Sequence, residues 1–565
     1  MILSSPGGLV GDGPDKSLHR FDYVIVGAGS AGCVLASRLT EDPSVSVLLI
    51  ESGPRAAGLW GVVPLGVGKL LNRPDVTWSV AAGPEPGLDG RSIDWVSGRV
   101  VGGSSVVNGM LFVRGHPKRY EEWAAAGCPA WSWSNVEPLF SRIEDCQFQL
   151  TGSRARSGPI AATRVQPDQL SDAFLESCER IGITRVADYN ASRPEGCSYL
   201  QLSTRNGLRD STARTYFAKA ETRKNLTLIT GAMVKSVHFE GRRAQGVNFV
   251  QDGGVQRQVL ASREVILCAG AVRTPQLLEL SGVGCPTRLE SLGIPIVNPL
   301  PGVGENLQDH LMVRIAYETY FKRTVNDMLR DRWRLLREVG QFALSRTGLL
   351  STSSLTATAF VNSGIGADEA DIRVQLGLIS SQGRIVSGRV GVDQHSGFHL
   401  GSYPIFPRSR GSVHARTRDS RDSPDVVAGY LRDSHDVDVA VRGFEISREI
   451  AAAEPLRRLI VGEVRPSKDA FDRLSIERYI RRTASTCWHP VGTCRMGNDD
   501  LAVVDEQLLV RGLEGIRVVD ASVMPSLPSS NTNIPVVMIA ERAADFITGQ
   551  GAARIRQSGM SADAT

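Results

Sequence analysis

The sequence predicts an α/β fold wound around a parallel sheet, in a chain too long for one hydrophobic core. Three observations carry this. A glycine-rich turn, Gly27-Ala28-Gly29-Ser30-Ala31-Gly32, lies between a short apolar β-branched run (23–26) and a helical segment (31–39). A second buried run, 45–50, completes a β-α-β unit of about 30 residues. Strand-then-helix order returns near 264–280 and again over 515–546. The chain has 565 residues, and domains usually hold about 100–200, so two or more cores are expected.

Residues 1–20 lack the long apolar core of a signal peptide and read as a flexible arm, and 551–565 as a flexible tail. In the first turn, Gly27 makes the tight bend off the strand. Gly29 leaves bare backbone for a pyrophosphate, and Gly32 lets the helix sit close on the sheet. Ser30 and Ala31 open that helix, whose N-terminus favours phosphate charge. Glu51 ends the next strand, 24 residues after Gly27. Its carboxylate can accept ribose hydroxyls and would repel a 2′-phosphate, which points away from NADP. The plain alternative is a tight β-α turn with no cofactor.

A second glycine-rich stretch spans 98–109, with Val101, Gly102, Asn108 and Gly109 in a backbone-rich cradle. By itself it is equally a plain loop. Residues 226–230, 234–239 and 246–250 read as an antiparallel meander with a turn at Glu240-Gly241. Residues 317–346 form a basic amphipathic pattern, with Leu329, Trp333, Leu336 and Val339 on one stripe. The reading taken is a solvated helix with this stripe on the core; contact with a membrane surface is the alternative. Residues 436–453 and 473–482 are charged helices.

Near the C-terminus, Cys487-Trp488-His489-Pro490 is followed by Ser529-Ser530-Asn531-Thr532-Asn533. A histidine is the usual general base for an alcohol hydroxyl, and an asparagine opposite it can bond the same oxygen. Taken alone, His489 is as readily a satisfied loop histidine. Cys487, His489 and Cys494 do not match common zinc spacing and lack a fourth ligand, so no metal is expected. Net charge is only +4, which gives no reason to propose nucleic acid as a partner. The nine cysteines include no C-x-x-C pair, which fits free thiols in a reducing, cytoplasmic setting. No run of about 18 apolar residues exists to span a bilayer.

These pieces, in this order, resemble the glucose–methanol–choline (GMC) oxidoreductase family from about residue 21 to about 548. The carrying motifs are GAGSAG with Glu51, GRVVGGSSVVNGM at 98–110, and the stretch from Gly270-Ala271 through Thr274-Pro275 to Gly284. LPGVGENLQDH at 300–310, HPVGTCRMG at 489–497 and GIRVVDASVMPSLPSSNTNIP at 515–535 complete the set. The resemblance implies a Rossmann-like FAD-binding domain assembled from three segments (21–158, 200–316 and 486–550). An α+β substrate domain of six antiparallel strands backed by helices is inserted between them (159–199 and 317–485).

It also implies oxidation of a small-molecule alcohol, with the hydride passing to flavin N5 and the electrons to oxygen or a quinone. His489 matches the family's base and Asn531 its partner. Val234 matches a backbone contact to adenine. Asp520 and Ala521 match the ribityl-phosphate segment, and Asn533 the pyrimidine edge. Where some relatives attach FAD through a histidine, this chain has Val107, which implies non-covalent FAD. Two other chemistries occur on the same scaffold, light-driven fatty-acid decarboxylation and hydroxynitrile cleavage. The first uses a substrate-domain cysteine, and none lies between Cys285 and Cys487.

Overall fold

The computed structural model describes residues 20–148, 154–190, 195–251, 254–381 and 391–549. The expected arm and tail lie outside these, except Arg20, which opens the first strand.

That strand, Arg20–Val26, pairs in parallel with Val47–Ile50 on one side and Val255–Leu267 on the other. Leu226–Ile229 extends the sheet beyond Val47–Ile50, and Ile516–Val518 lies beside the end of Val255–Leu267, both parallel. Parallel strands are covered on both faces and so read as unbroken apolar runs. Residues 47–50 are buried without exception. Helix Ser30–Leu39 covers the sheet and is held to the last helix, Asn533–Thr548, where Arg38 Nε and Nη2 both donate to Glu541.

The long strand Val255–Leu267 has two partners along one edge. Residues 255–260 pair antiparallel with Arg243–Gln251, and residues 265–267 pair with Ile516–Val518. Ala232–Glu240 completes a three-stranded meander. The expected membership of 226–230 in this meander is corrected. Asn225 donates through Nδ2 to the carbonyls of Asp42 (2.9 Å) and Val45 (2.8 Å), so the run starts alongside Val47–Ile50. Gly231, at φ 65°, then turns the chain into the meander.

The second sheet has seven antiparallel strands, six in the order Ile460–Arg465, Leu311–Thr319, Gly397–Pro404, Ile372–Gly377, Leu355–Val361 and Gly196–Tyr199, and Ser485–Thr486 pairing with the start of Leu311–Thr319. Leu311–Thr319 crosses the boundary expected at 316/317 and pairs with this sheet along its length. Alternate residues face opposite sides. Helix Ser434–Ala452 packs on one side, where Gly443 lies against Ile372 and Ser402. The other side faces a large cavity. A hairpin of Thr77–Glu85 and Arg91–Gly98 joins the two units by pairing with Asp425–Val427.

The basic stretch after Thr319 forms two helices, Val325–Arg330 and Arg332–Ser345. The expected packing of its stripe on the core is corrected. Leu329, Trp333, Leu336 and Val339 are 45, 67, 59 and 46% exposed, and Phe342 is the residue that Arg332–Ser345 buries. The helix instead borders the cavity, with Leu335, Val339 and Phe342 in its wall. Among the described residues no helix is long and apolar enough to cross a membrane.

Two glycines of the first turn separate packing from ligand space. A Cβ on Gly32 would lie 2.0 Å from the Gly27 carbonyl oxygen, whereas one on Gly29 would find nothing nearer than 3.8 Å. Backbone cannot yield as a side chain does. Gly32→Ala should therefore lower the apparent Tm of cofactor-stripped protein by about 5 °C or more. Gly29→Ala should leave that Tm within about a degree of wild type. Thermal scans of the two stripped proteins check both.

Candidate active site

One continuous cavity of about 2220 Å³ runs from the first glycine turn to His489 and Asn531. A site for a single small ligand usually measures roughly 300–1,000 Å³, so there is room for a dinucleotide and a substrate together. Gly27, Gly29, Ser30, Ala31, Glu51, Asn108, Gly109, Val234, Asp520, Ala521 and Asn533 all line it. Gly27, at φ 99°, backs onto Cys268, whose carbonyl oxygen would lie 2.5 Å from a Cβ there. No acidic residue stands in the first turn of helix Ser30–Leu39, which leaves its N-terminus open to an anion.

Three side chains at this end are pinned from behind. Glu51 accepts the backbone N–H of Ala28 (3.0 Å) and of Gly53 (2.8 Å), so its carboxylate is fixed against the glycine turn. Burial raises its pKa, and these amides oppose the rise. Asp520 accepts from the Gly270 and Ser522 amides and the Thr274 hydroxyl, which caps the turn into helix Gly270–Leu280. Ser30 Oγ donates to Asn533 Oδ1 at 2.7 Å, linking the first helix to the last.

The second glycine stretch contributes unevenly. Asn108 Oδ1 accepts from Met110 N and from the buried Arg209 (2.8 Å). Val101 and Gly102 do not reach the cavity. Val101 is packed in the core, and Gly102 donates its N–H to the Ala28 carbonyl at 2.7 Å. Gly103 takes the open position expected of Gly102: it lines the cavity, and a Cβ there would strike Gly29 Cα at 2.7 Å. Gly32 packs within the turn and lines nothing.

At the other end, hydrogen bonds fix the protonation pattern of His489. His310 Nε2 lies 2.8 Å from the Ile405 carbonyl oxygen, which only accepts, so Nε2 carries the proton. Burial pushes the His310 pKa down to about 4, so the ring is neutral and its Nδ1 is an acceptor. His489 Nδ1, 2.9 Å away, must then donate. This leaves the lone pair of His489 on Nε2, where the Asn531 amide donates to it at 2.9 Å. The Asn531 orientation is fixed as well, because Arg373 Nη1 donates to its Oδ1 at 2.6 Å. His489 therefore presents a basic nitrogen to the cavity, not an N–H.

Asp309 holds the backbone. Its Oδ1 accepts the His489 N–H at 2.7 Å, while Oδ2 accepts the hydroxyls of Tyr430 and Thr486. Burial raises its pKa to about 6, against the lowering effect of these donors. Trp488 sits at φ 60°, a left-handed conformation that is costly for a bulky residue. Trp60 and Trp488 line the cavity, whereas Trp333 is largely exposed. Among the described residues no group of three or more His, Cys, Asp or Glu side chains is placed to hold a metal.

His310, Asp309 and Arg373 were not singled out from the sequence. The first two end the LQDH motif, so a signal existed for them without a role. Arg373 carried none: it stands in an apolar strand, wholly buried, and its nearest partners are Thr358, Tyr403, Ser530 and Asn531.

Models described as GMC oxidoreductase match residues 21–312 and 407–540. An alcohol dehydrogenase [acceptor] of Pseudomonas putida is 37% identical over 532 residues, covering 93% of this chain and 95% of that protein. The mitochondrial choline dehydrogenase of Homo sapiens is 38% identical over 551 residues, 95% of this chain and 91% of that one. The crystal structure of pyridoxine 4-oxidase from Mesorbium loti superposes with a TM-score of 0.82 at 30% identity, covering 93% of this chain and 98% of that one. The open backbone at Gly29, the anchored Glu51 and the size of the cavity fit FAD. The chain belongs to the GMC oxidoreductase family and is an FAD-dependent oxidoreductase acting on CH–OH groups.

Proposed function

We propose that this enzyme oxidises an alcohol to an aldehyde or ketone, with His489 as general base and Asn531 as the group that holds the substrate oxygen. The observation that carries the reading is the relay from the Ile405 carbonyl through His310 to His489, which leaves Nε2 unprotonated at the cavity surface. FAD, when bound, supplies the two-electron acceptor for the hydride that leaves the carbinol carbon.

The residues divide the remaining work. The substrate hydroxyl enters between His489 Nε2 and Asn531 Nδ2, which bond each other without substrate. Asn531 donates to the hydroxyl oxygen, and Nε2 takes its proton, because an alkoxide releases hydride far more readily than an alcohol. Arg373 prevents the amide from flipping and offering an acceptor instead. As His489 becomes cationic, the Asp309 carboxylate bonded to its own amide places negative charge nearby. Gly27, Gly29, Ser30, Ala31, Glu51, Val234, Asp520, Ala521 and Asn533 would hold FAD, with Asn108 and Gly109 on its flank. Val107, also in the wall, has no nucleophilic atom, in keeping with FAD held without a covalent bond. Oxygen or a quinone-class acceptor then reoxidises the enzyme.

His489→Ala should slow anaerobic flavin reduction by alcohol about a hundredfold or more while FAD stays bound; stopped-flow absorbance measures it, and near-normal reduction would overturn the assignment. His310→Phe keeps a ring but removes the acceptor that sets the His489 tautomer, and should cost at least about tenfold in the same step. Acid precipitation of the holoenzyme should leave the yellow colour in the supernatant; colour in the pellet would mean a covalent link.

A further inference from the structure

The cavity-facing side of the inserted sheet carries donors that proton abstraction does not use. Arg314 and Gln375 stand on either side of Gly401, each paired to it in register. Both line the cavity. Among the described residues Arg314 makes one side-chain hydrogen bond, from Nη1 to Ser485 Oγ at 3.0 Å, which leaves Nε and Nη2 for another acceptor. Among the described residues no carboxylate lies within ion-pair distance of its guanidinium, unlike the part-buried Arg465 and the buried Arg114 and Arg517. Burial lowers its pKa, and the nearby Cys487 and Tyr479 side chains oppose the fall.

Gln375 is similarly placed. It is buried, and its Nε2 donates only to the Met312 thioether at 3.1 Å, a weak acceptor. Met312 itself lies over Gly401, where a Cβ would come within 2.6 Å of the sulfur. His399, in the same strand as Gly401, gives Nδ1–H to the Ile379 carbonyl, and burial holds its pKa down to about 4. It is neutral and does not neutralise or reinforce Arg314.

Asp94 and Asp469 also line the cavity, and among the described residues neither is within ion-pair distance of Arg314, while two further carboxylates are committed to the backbone. Glu51 and Asp520 are held by backbone amides at the nucleotide end. A part-buried guanidinium with no carboxylate within ion-pair distance, beside an amide whose donor meets only a weak thioether acceptor, leaves donor capacity for a ligand. The fork geometry of arginine matches a planar oxyanion.

Its position relative to the base is also set. His310, Met312 and Arg314 alternate onto one face. Arg314 follows His310 by four strand residues, roughly 13 Å between Cα atoms. Ser485, to which it is bonded, precedes His489 by four residues on the neighbouring strand, where Ser485 pairs with Met312.

We propose that Arg314, assisted by Gln375, binds a carboxylate on the substrate, so that the alcohol oxidised is a hydroxycarboxylate whose acid group is separated from the carbinol by a spacer. The assignment rests on the alcohol-oxidation reading and narrows it. A quaternary ammonium alcohol meets the wrong charge at Arg314. Arg314 is a specificity residue, remote from the bond that breaks.

The test uses holoenzyme with a dye acceptor and, separately, anaerobic flavin reduction. A series of ω-hydroxycarboxylates of increasing length is compared with the matching 1-alkanols, para-hydroxymethylbenzoate with benzyl alcohol, and choline is included. Wild type should favour the best acid over its neutral partner by about ten- to a hundredfold in kcat/KM, mostly through KM. Arg314→Met should collapse that ratio to near one, and Arg314→Lys should retain part of it. Benzoate, which cannot be oxidised, should perturb the flavin spectrum of wild type and bind about tenfold or more weakly to Arg314→Met. FAD content measures whether each variant is folded. Neutral alcohols matching their acids in wild type, or a ratio unchanged in both variants, would overturn the Arg314 assignment and leave alcohol oxidation standing. Should no alcohol of any charge reduce the flavin, the broader reading fails instead.

Discussion

The site depends on one hydrogen bond between two histidine rings. His310 Nδ1 can accept from His489 only because the Ile405 carbonyl takes the other His310 proton. Each partner comes from a different part of the chain. Ile405 follows the strand Gly397–Pro404 of the inserted sheet, His310 precedes Leu311–Thr319, and His489 lies in the segment that returns to the nucleotide domain. The relative placement of the two sheets is thus expressed at the base as a choice of tautomer. A shift of one sheet by an ångström would lengthen a 2.8 or 2.9 Å bond and release that choice.

The arrangement is mostly buried and holds few charges. Arg373 is buried among Thr358, Tyr403, Ser530 and Asn531, with hydroxyl and amide partners and no carboxylate in ion-pair contact among the described residues. Such a cation is costly to bury. What it secures is direction, since with its oxygen held by Arg373 the Asn531 amide points its nitrogen at His489 Nε2. Asp309 does the same for the main chain, and the strained Trp488 between Cys487 and His489 marks where the backbone is bent to meet it.

What was legible in the sequence is what physics writes locally. The glycine turn, its flanking strands and Glu51 fall within about 30 residues and follow the rules of a β-α-β unit. His489 and Asn531 could be picked out because their residue types suit the chemistry and because their motifs resemble a family. Arg373 and Arg314 could not, since an arginine in an apolar strand has no sign of its own until the register shows which face it takes. The same limit explains Leu226–Ile229. An apolar run of four residues does not say whether its neighbour is parallel or antiparallel; Asn225, tied to Asp42 and Val45, decides it. The stripe on Arg332–Ser345 misled for a related reason, because periodicity reports an apolar face and not what covers it.

The long strand Val255–Leu267 has a further consequence for how the molecule comes into being. Its last residues wait for Ile516–Val518, which follow them by about 250 positions, with all of the inserted sheet except Gly196–Tyr199 made in between. While the chain is being synthesised, the first βαβ unit and the meander can assemble early, but the parallel sheet keeps an open edge until the inserted sheet has emerged. The closing strand arrives on the same stretch as His489 and Asn531. The nascent polypeptide therefore gains its fifth parallel strand and the His489–Asn531 contact from the same late stretch of chain.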